Sequence, residues 1–248
     1  MSMIDNIARA NQPDPHGAFP LADVSLTRIS VFDLDRTLTQ RGTWSPFLLF
    51  AACHLAPWRL IFVPAVLMCM IAYKAGLISR DRLKELMQRL MMGARVPGDH
   101  ILPIAAAFAQ RQIERNCYFE GIVAIETERA EGRLIVLATA AQRFYAEPLA
   151  TKLACDLVVA TESKWDGGAL LAQIEGRNCR STEKRDAIER ALLTLGLTRD
   201  QVSVRFYSDD TSDVPTFEWA DEAIVVNAGA KMRKIARRRG WQSLRWTY

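Results

Sequence analysis

Two carboxylates separated by one apolar residue and followed by a hydroxyl, Asp33-Leu34-Asp35-Arg36-Thr37, come directly after the β-branched and aromatic run Ile29-Ser30-Val31-Phe32. Alternate residues of an extended chain point to opposite sides, so Asp33 and Asp35 leave such a strand together while Leu34 packs on the far side. Like charges held that close are costly unless a cation or a shared proton relieves them. The pattern suits a magnesium-assisted site in which one carboxylate is the nucleophile and its neighbour carries a proton. Taken alone, the same two acids could simply end a strand beside water. Three other places supply matching groups: Thr139 after the apolar run 134–138, Lys184 at the start of a helical stretch, and the acidic loop Ser208-Asp209-Asp210-Thr211-Ser212-Asp213. Together they offer carboxylates for Mg²⁺, hydroxyls and an ammonium for phosphate oxygens, and a nucleophile, which are the components of phosphoryl transfer. Each has a structural alternative: Thr139 ending a strand, Lys184 solvated, Asp209 and Asp213 capping the next helix. Jointly those alternatives would need unrelated polar residues to fall at every strand end.

The elements that must position these groups are strands alternating with helices. Apolar runs at 29–32, 134–138, 157–160, 202–207 and 223–226 read as strands, and helical spacing between them predicts helices over 119–131 and 182–195 and a basic one near the C-terminus. This alternation predicts an α/β fold, a doubly wound parallel sheet covered on both faces, with ligands beyond the carboxyl ends of its strands. Trp165-Asp166-Gly167-Gly168 carries hairpin-turn residues. The first 24 residues read as a loosely held arm, without the apolar centre of a secretory signal. The core is expected over 25–41 and 116–248, interrupted by an all-helical insert at 42–115. Within the insert Leu83, Leu86, Met87, Leu90 and Met91 follow helical spacing, with Lys84, Glu85 and Arg89 on the other side. The 14-residue apolar run 60–73 is shorter than the roughly 20 residues of a spanning helix, and Pro57 and Pro64 predict short helical pieces. Two readings remain for this run, helices packed within the insert, which amphipathic patterning favours, or an apolar surface at a membrane interface. His54 reads as a satisfied core histidine, and Trp44, Trp58 and Trp165 as packing residues.

Asp33-Leu34-Asp35-Arg36-Thr37, Thr139, Lys184 and the 208–213 loop, in that order, resemble the four motifs of the haloacid dehalogenase superfamily. The run Asn178-Cys179-Arg180-Ser181-Thr182-Glu183-Lys184 and the insert between the first two motifs are similar to its phosphoserine-phosphatase-like branch. The resemblance implies a phosphomonoester phosphatase in which Asp33 attacks phosphorus and Asp35 protonates the leaving oxygen, then deprotonates water. It further implies Mg²⁺ held by the side chains of Asp33 and Asp209 and the backbone carbonyl of Asp35. Thr139 and Lys184 would bind phosphate oxygens and Thr37 would support the loop. Asp213 would hold Lys184 or a metal-bound water, with Asp210 a more distant candidate. Ser208 and Ser212 stand where the branch usually has Gly and Asn, and Arg36 where Gly is frequent; no catalytic role is assigned to Arg36.

A net charge of +4 on 248 residues, 24% of them charged, lacks the concentrated basic footprint of a nucleic-acid binder. Five cysteines without a Cys-x-x-Cys pair suit a reducing cytoplasm and argue against zinc. The expected partner is a small phosphorylated substrate. The apolar insert and the basic run Lys231, Arg233, Lys234, Arg237, Arg238 and Arg239 also raise peripheral contact with the inner face of a membrane. The substrate would then be a phospholipid such as phosphatidylglycerophosphate, whose phosphatases, the resemblance implies, include members of the branch with apolar caps. For phosphoserine, acidic and basic cap partners would be needed, for which Arg59, Arg80, Arg82 and Glu85 are candidates. A non-catalytic membrane-associated binding protein on the same fold is the reading from another class, and intact Asp33 and Asp35 argue against it.

Overall fold

The computed structural model describes residues 26–247, so the N-terminal arm expected at 1–24 lies outside the described residues. Six parallel strands form the main sheet in the order β4-β3-β1-β7-β8-β9. They are β1 Thr27–Phe32, β3 Leu134–Gln142, β4 Leu157–Thr161, β7 Val202–Ser208, β8 Glu222–Val226 and β9 Gln242–Leu244. Strand β1 is central: Val31 is paired with Val136 of β3 on one side and Phe206 of β7 on the other. Its side chains alternate as a two-period strand requires. Ile29 and Val31 enter one apolar core with Val204 and Phe206, while Phe32 enters the other with Leu34 and Tyr207.

The core that Phe32 enters lies under α1 Trp44–Leu55, α4 Gly98–Arg115 and α6 Arg143–Lys152. Phe47 of α1 is its pivot, stacked on Tyr145 of α6 at 4.6 Å and meeting Phe108 of α4 edge-on at 5.2 Å. Such ring pairs favour these offset and perpendicular geometries and tie the three helices to one another. The opposite core lies under α7 Thr182–Thr194, the short α8 Val214–Trp219 and the basic α9 Ala230–Arg239. Helix α5 Phe119–Ala130 joins α4 to β3, and its Glu128 is buried in a polar network with Ser30, Arg133, Arg205 and Tyr207. Five strand segments read from the apolar runs therefore stand in one sheet, with the helices between them on both faces.

One expectation for 42–115 needs correction. The segment is not all-helical: β2 Arg95–Pro97 pairs antiparallel with β6 Ala169–Ile174, which pairs in turn with β5 Ser163–Asp166 in a second, three-stranded sheet. Gly167 and Gly168 make the β5–β6 turn at φ 51° and 75°, a left-handed pair that glycine accommodates without steric cost. The prolines divide the apolar run into short helical pieces, as their positions predict, and the pieces follow one another without a gap. A 3-10 helix Pro57–Phe62 leads directly into α2 Val63–Lys74 because both Pro57 and Pro64 fall in first helical turns, where no N–H is needed. By length and composition alone this 18-residue stretch could cross a membrane.

The packed-helix reading holds for one stripe of α2 only. Only Val66 is buried there, while Leu67, Met68 and Ile71, with Trp58 and Ile61 just before and Leu77 just after, are exposed. A helix apolar all round is ordinarily covered on every side, whereas α2 has only one stripe covered by the protein. The stripe it buries faces α3 Arg80–Met91, whose start is capped by Ser79 accepting from the Arg82 amide at 3.1 Å. His54 is also misread: it is exposed, with Nδ1 2.7 Å from the Phe50 carbonyl oxygen of its own helix. Trp58 is exposed as well, under the guanidinium of Arg59, whereas Trp44 packs on Phe47 and Tyr145 as expected.

Candidate active site

The carboxyl ends of β1, β3 and β7 open into a cavity of about 440 Å³ whose walls include Asp33, Asp35, Thr139, Lys184, Asp209, Asp210 and Asp213. Parallel pairing brings these groups together. Val31 and Phe32 lie beside Val136 and Leu137 on one flank and Phe206 and Tyr207 on the other, so Asp33, Thr139 and Asp209, one or two residues further along, emerge side by side. The Asp33 amide still donates to the Tyr207 carbonyl at 2.9 Å, which fixes where its side chain starts. Thr37, the remaining candidate, is fully buried behind the wall and donates to Asp33 Oδ2 at 3.3 Å.

Lys184 is the hub. Its Nζ lies 2.8 Å from Asp33 Oδ1 and 2.7 Å from Asp213 Oδ2, and all three side chains are buried. Of the two roles implied for Asp213, the direct hold on Lys184 is the one present. Burial opposes the Lys184 charge, but Asp213 and Asp33 outweigh it and keep the ammonium protonated well above its ordinary range. Ser208 donates to the same Asp213 Oδ2 at 2.6 Å, so the serine at the position where the branch has glycine orients the carboxylate that orients the lysine.

Asp33 itself is pushed up to about 7, first by burial, against the pull of Lys184, with Asp213 and Asp209 adding repulsion. Asp35 is raised too, by burial, although the Thr43 hydroxyl and amide both donate to its Oδ1 at 2.8 Å. A carboxyl whose pKa burial raises and whose orientation Thr43 fixes is suited to give up a proton as general acid. The following residue, Arg36, takes φ 67°, a left-handed backbone costing a non-glycine residue roughly 1–2 kcal/mol, which explains why glycine is the easier choice at this turn. Arg36 nevertheless lines the cavity and attracts Asp209.

Asp209 accepts no hydrogen bond among the described residues and is raised to about 7, by burial first and then by Asp210 and Asp213. With Asp33 it makes a pair of carboxyl groups on one wall, the oxygen donors that a hard divalent cation takes. No cluster of three or more His, Cys, Asp or Glu side chains is gathered among the described residues, and the Asp35 carbonyl is a main-chain oxygen that would add to the pair. These residues fit Mg²⁺. Thr139, almost fully buried, accepts from the Ala141 amide at 3.0 Å, leaving its hydroxyl proton for another acceptor. Asp210 is engaged elsewhere, accepting from the Ser212 amide at 2.7 Å and from Arg180 at 3.3 Å.

One site residue was not legible. Lys84, placed with the solvated face of α3, is only 6% exposed and lines the cavity. Its Nζ donates to the Ala140 carbonyl at 2.6 Å and to Asn178 Oδ1 at 2.8 Å. A lone lysine among helically spaced apolar residues carries no sign that the sheet lies on its side of the helix. Of the cap candidates only Arg80 reaches the cavity. Arg59 is turned to the carbonyls of Arg89 and Leu90, and Glu85 meets Arg82 and the Ile174 amide. Every carboxylate on the cavity wall therefore belongs to the sheet's own loops, while α2 and α3 add Lys74, Arg80 and Lys84 with Met70, Tyr73, Leu83 and Met87.

Among curated proteins the chain is 27% identical over 111 residues to the phosphoserine phosphatase SerB1 of Mycobacterium tuberculosis, covering 45% of this chain and 35% of that protein. It is 30% identical over 155 residues to the protein CicA of Caulobacter vibrioides, covering 62% and 67% respectively. The chain thus spans about a third of the length of the mycobacterial relative. A Bordetella pertussis protein of unknown function has the same fold with TM-score 0.81 and 24% identity, over 89% of this chain and 99% of that one. A phosphoserine phosphatase with a phospho-aspartyl intermediate analogue shares it at TM-score 0.58 and 15% identity, over 85% and 91%. The sequence matches the haloacid dehalogenase-like hydrolase description across residues 30–218, a stretch that holds all four motifs, and the chain belongs to that family.

Proposed function

We propose that the protein is a Mg²⁺-dependent phosphomonoester phosphatase that works through an aspartyl-phosphate on Asp33. The observation that carries the reading is the Asp33–Lys184–Asp213 chain facing Asp35 across one cavity. Lys184 offsets part of the Asp33 charge, so that an anionic phosphoryl group can approach an anionic nucleophile. As the bond from Asp33 oxygen to phosphorus forms and the ester bond breaks, Asp35 gives its proton to the leaving oxygen. The resulting Asp35 carboxylate then takes a proton from water, whose oxygen attacks phosphorus and frees Asp33. Thr139 and Lys184 bind phosphoryl oxygens throughout. Mg²⁺ bound to Asp33, Asp209 and the Asp35 carbonyl would neutralise charge on the phosphoryl group.

A lipid substrate at the inner face of a membrane is supported by a specific observation. Helix α2 shows Leu67, Met68 and Ile71 to solvent and gives Met70, Tyr73 and Lys74 to the cavity, so an apolar surface runs directly into the site. Because the same helix lines the cavity, it is read as lying on a bilayer rather than crossing one. The absence of a cap carboxylate on the wall, among the described residues, leaves a substrate ammonium such as that of phosphoserine without a partner from α2 or α3. The favoured substrate is thus a phosphomonoester with an apolar tail, phosphatidylglycerophosphate being one such molecule.

Hydrolysis of an aryl phosphate with and without Mg²⁺ tests the reaction: activity with the metal that disappears in Asp33→Asn is expected. Folded protein inactive under both conditions would favour a binding protein on the same fold. Co-flotation with anionic but not neutral vesicles is expected of the lipid reading, and flotation with neither would overturn it.

A further inference from the structure

Lys84 is a buried ammonium whose two acceptors, the Ala140 carbonyl and Asn178 Oδ1, are both neutral. Lys184, by contrast, is bonded to two carboxylates. Burying a cation without a bonded counter-charge is expensive, and such a group persists where an anion completes it. An ammonium has three N–H donors, so one remains, in a side chain that lines the cavity.

We propose that Lys84 is a second phosphate-binding cation, delivered by helix α3 from outside the sheet domain, which donates its third N–H to the substrate's phosphoryl oxygens on the Asp35 side. The inference rests on the phosphatase reading and adds a substrate contact to it. The ammonium is well held for the task. Thr161 Oγ1 lies 2.9 Å from the same Ala140 oxygen and 2.8 Å from the same Asn178 oxygen, fixing both acceptors. Gln88, one turn on, anchors α3 to the Leu171 carbonyl at 3.0 Å. Ala140 directly follows Thr139, so the lysine and the threonine address one phosphoryl position from adjacent points. Burial draws the Lys84 pKa down to about 8, while Asp35 beyond β1, Asp81 on its own helix and Cys179 before α7 pull it up. Arg80, Arg180 and Lys184 on the same cavity wall share its sign.

The experiment compares wild type, Lys84→Met and Lys84→Arg with Mg²⁺ and an aryl phosphate, using inorganic phosphate as competitive inhibitor. Lys84→Met is expected to lower kcat/KM about 10- to 100-fold, the range of one hydrogen bond to a charged group. The inhibition constant for phosphate should rise in parallel. Lys84→Arg should recover much of both losses, and the fall of kcat/KM above about pH 8 in wild type should vanish in it, because a guanidinium does not titrate there. Unchanged kinetics in Lys84→Met would overturn the proposal. So would a slower Lys84→Met with undiminished phosphate affinity, which would make the lysine a brace between α3 and the sheet. Inactive wild-type protein would count against the phosphatase reading instead.

Discussion

At Lys184 one side chain balances two buried acids, and removing it is costly in a way that a surface pair is not. Lys184→Met leaves Asp33 and Asp213 buried without their cation, and is expected to destabilise the fold by about 3–5 kcal/mol near neutral pH, read by denaturant titration. Lys84 has the opposite balance. Its pKa in the fold, about 8, lies below the ordinary 10.5, so between those values the unfolded chain binds more protons than the native one. The Lys84 contribution to stability therefore rises with pH across that window. The stability of wild type relative to Lys84→Met should accordingly increase from pH 8 to 10.5, by up to about 3 kcal/mol. A flat difference would mean that the ammonium is solvated. At Asp35, replacement by Asn removes the base that takes the proton from water in the second step, so phosphoenzyme should accumulate in Asp35→Asn, seen by intact mass after acid quench.

Helix α2 is the element whose surface is least explained by the fold. Leu67→Ser and Ile71→Ser remove exposed apolar groups and are expected to leave stability within about 0.5 kcal/mol of wild type. Their effect should appear instead as weaker flotation with anionic vesicles; a large loss of stability would mean that α2 is packed in solution. The same helix shows where sequence stops being legible. Strands β1, β3 and β7 were readable because short β-branched and aromatic stretches leading into Asp or Thr have few other uses. The burial of α2 was not, because a helix apolar on every side has no face that says which way it points. The three-residue β2 was hidden by its length, since Arg95-Val96-Pro97 acquires strand geometry only by pairing with the β5–β6 hairpin. Lys84 was hidden by its neighbours: Leu83 and Met87 flank it at helical spacing, and only the docked sheet makes its side of α3 an interior one.

Across the whole molecule, the four motifs are distant in sequence and meet because every strand that carries one is parallel to β1. That convergence collects five carboxylates on the cavity wall, and among them Asp209 is the one that has neither an ion pair nor a hydrogen bond among the described residues. A ligand that binds only the native state stabilises it by mass action, so Mg²⁺ at a hundredfold excess over its dissociation constant should add about 2.7 kcal/mol. In Asp209→Asn that increment should shrink sharply, while the metal-free variant stays at least as stable as wild type. The central claim is that Asp33 is the nucleophile. Its most direct test is peptide mapping of protein quenched in acid during turnover of an aryl phosphate with Mg²⁺. A phosphoryl group on the peptide at Asp33, absent in Asp33→Asn, is the predicted result. Continued hydrolysis with the label on another residue, or with none in both wild type and Asp35→Asn, would contradict it.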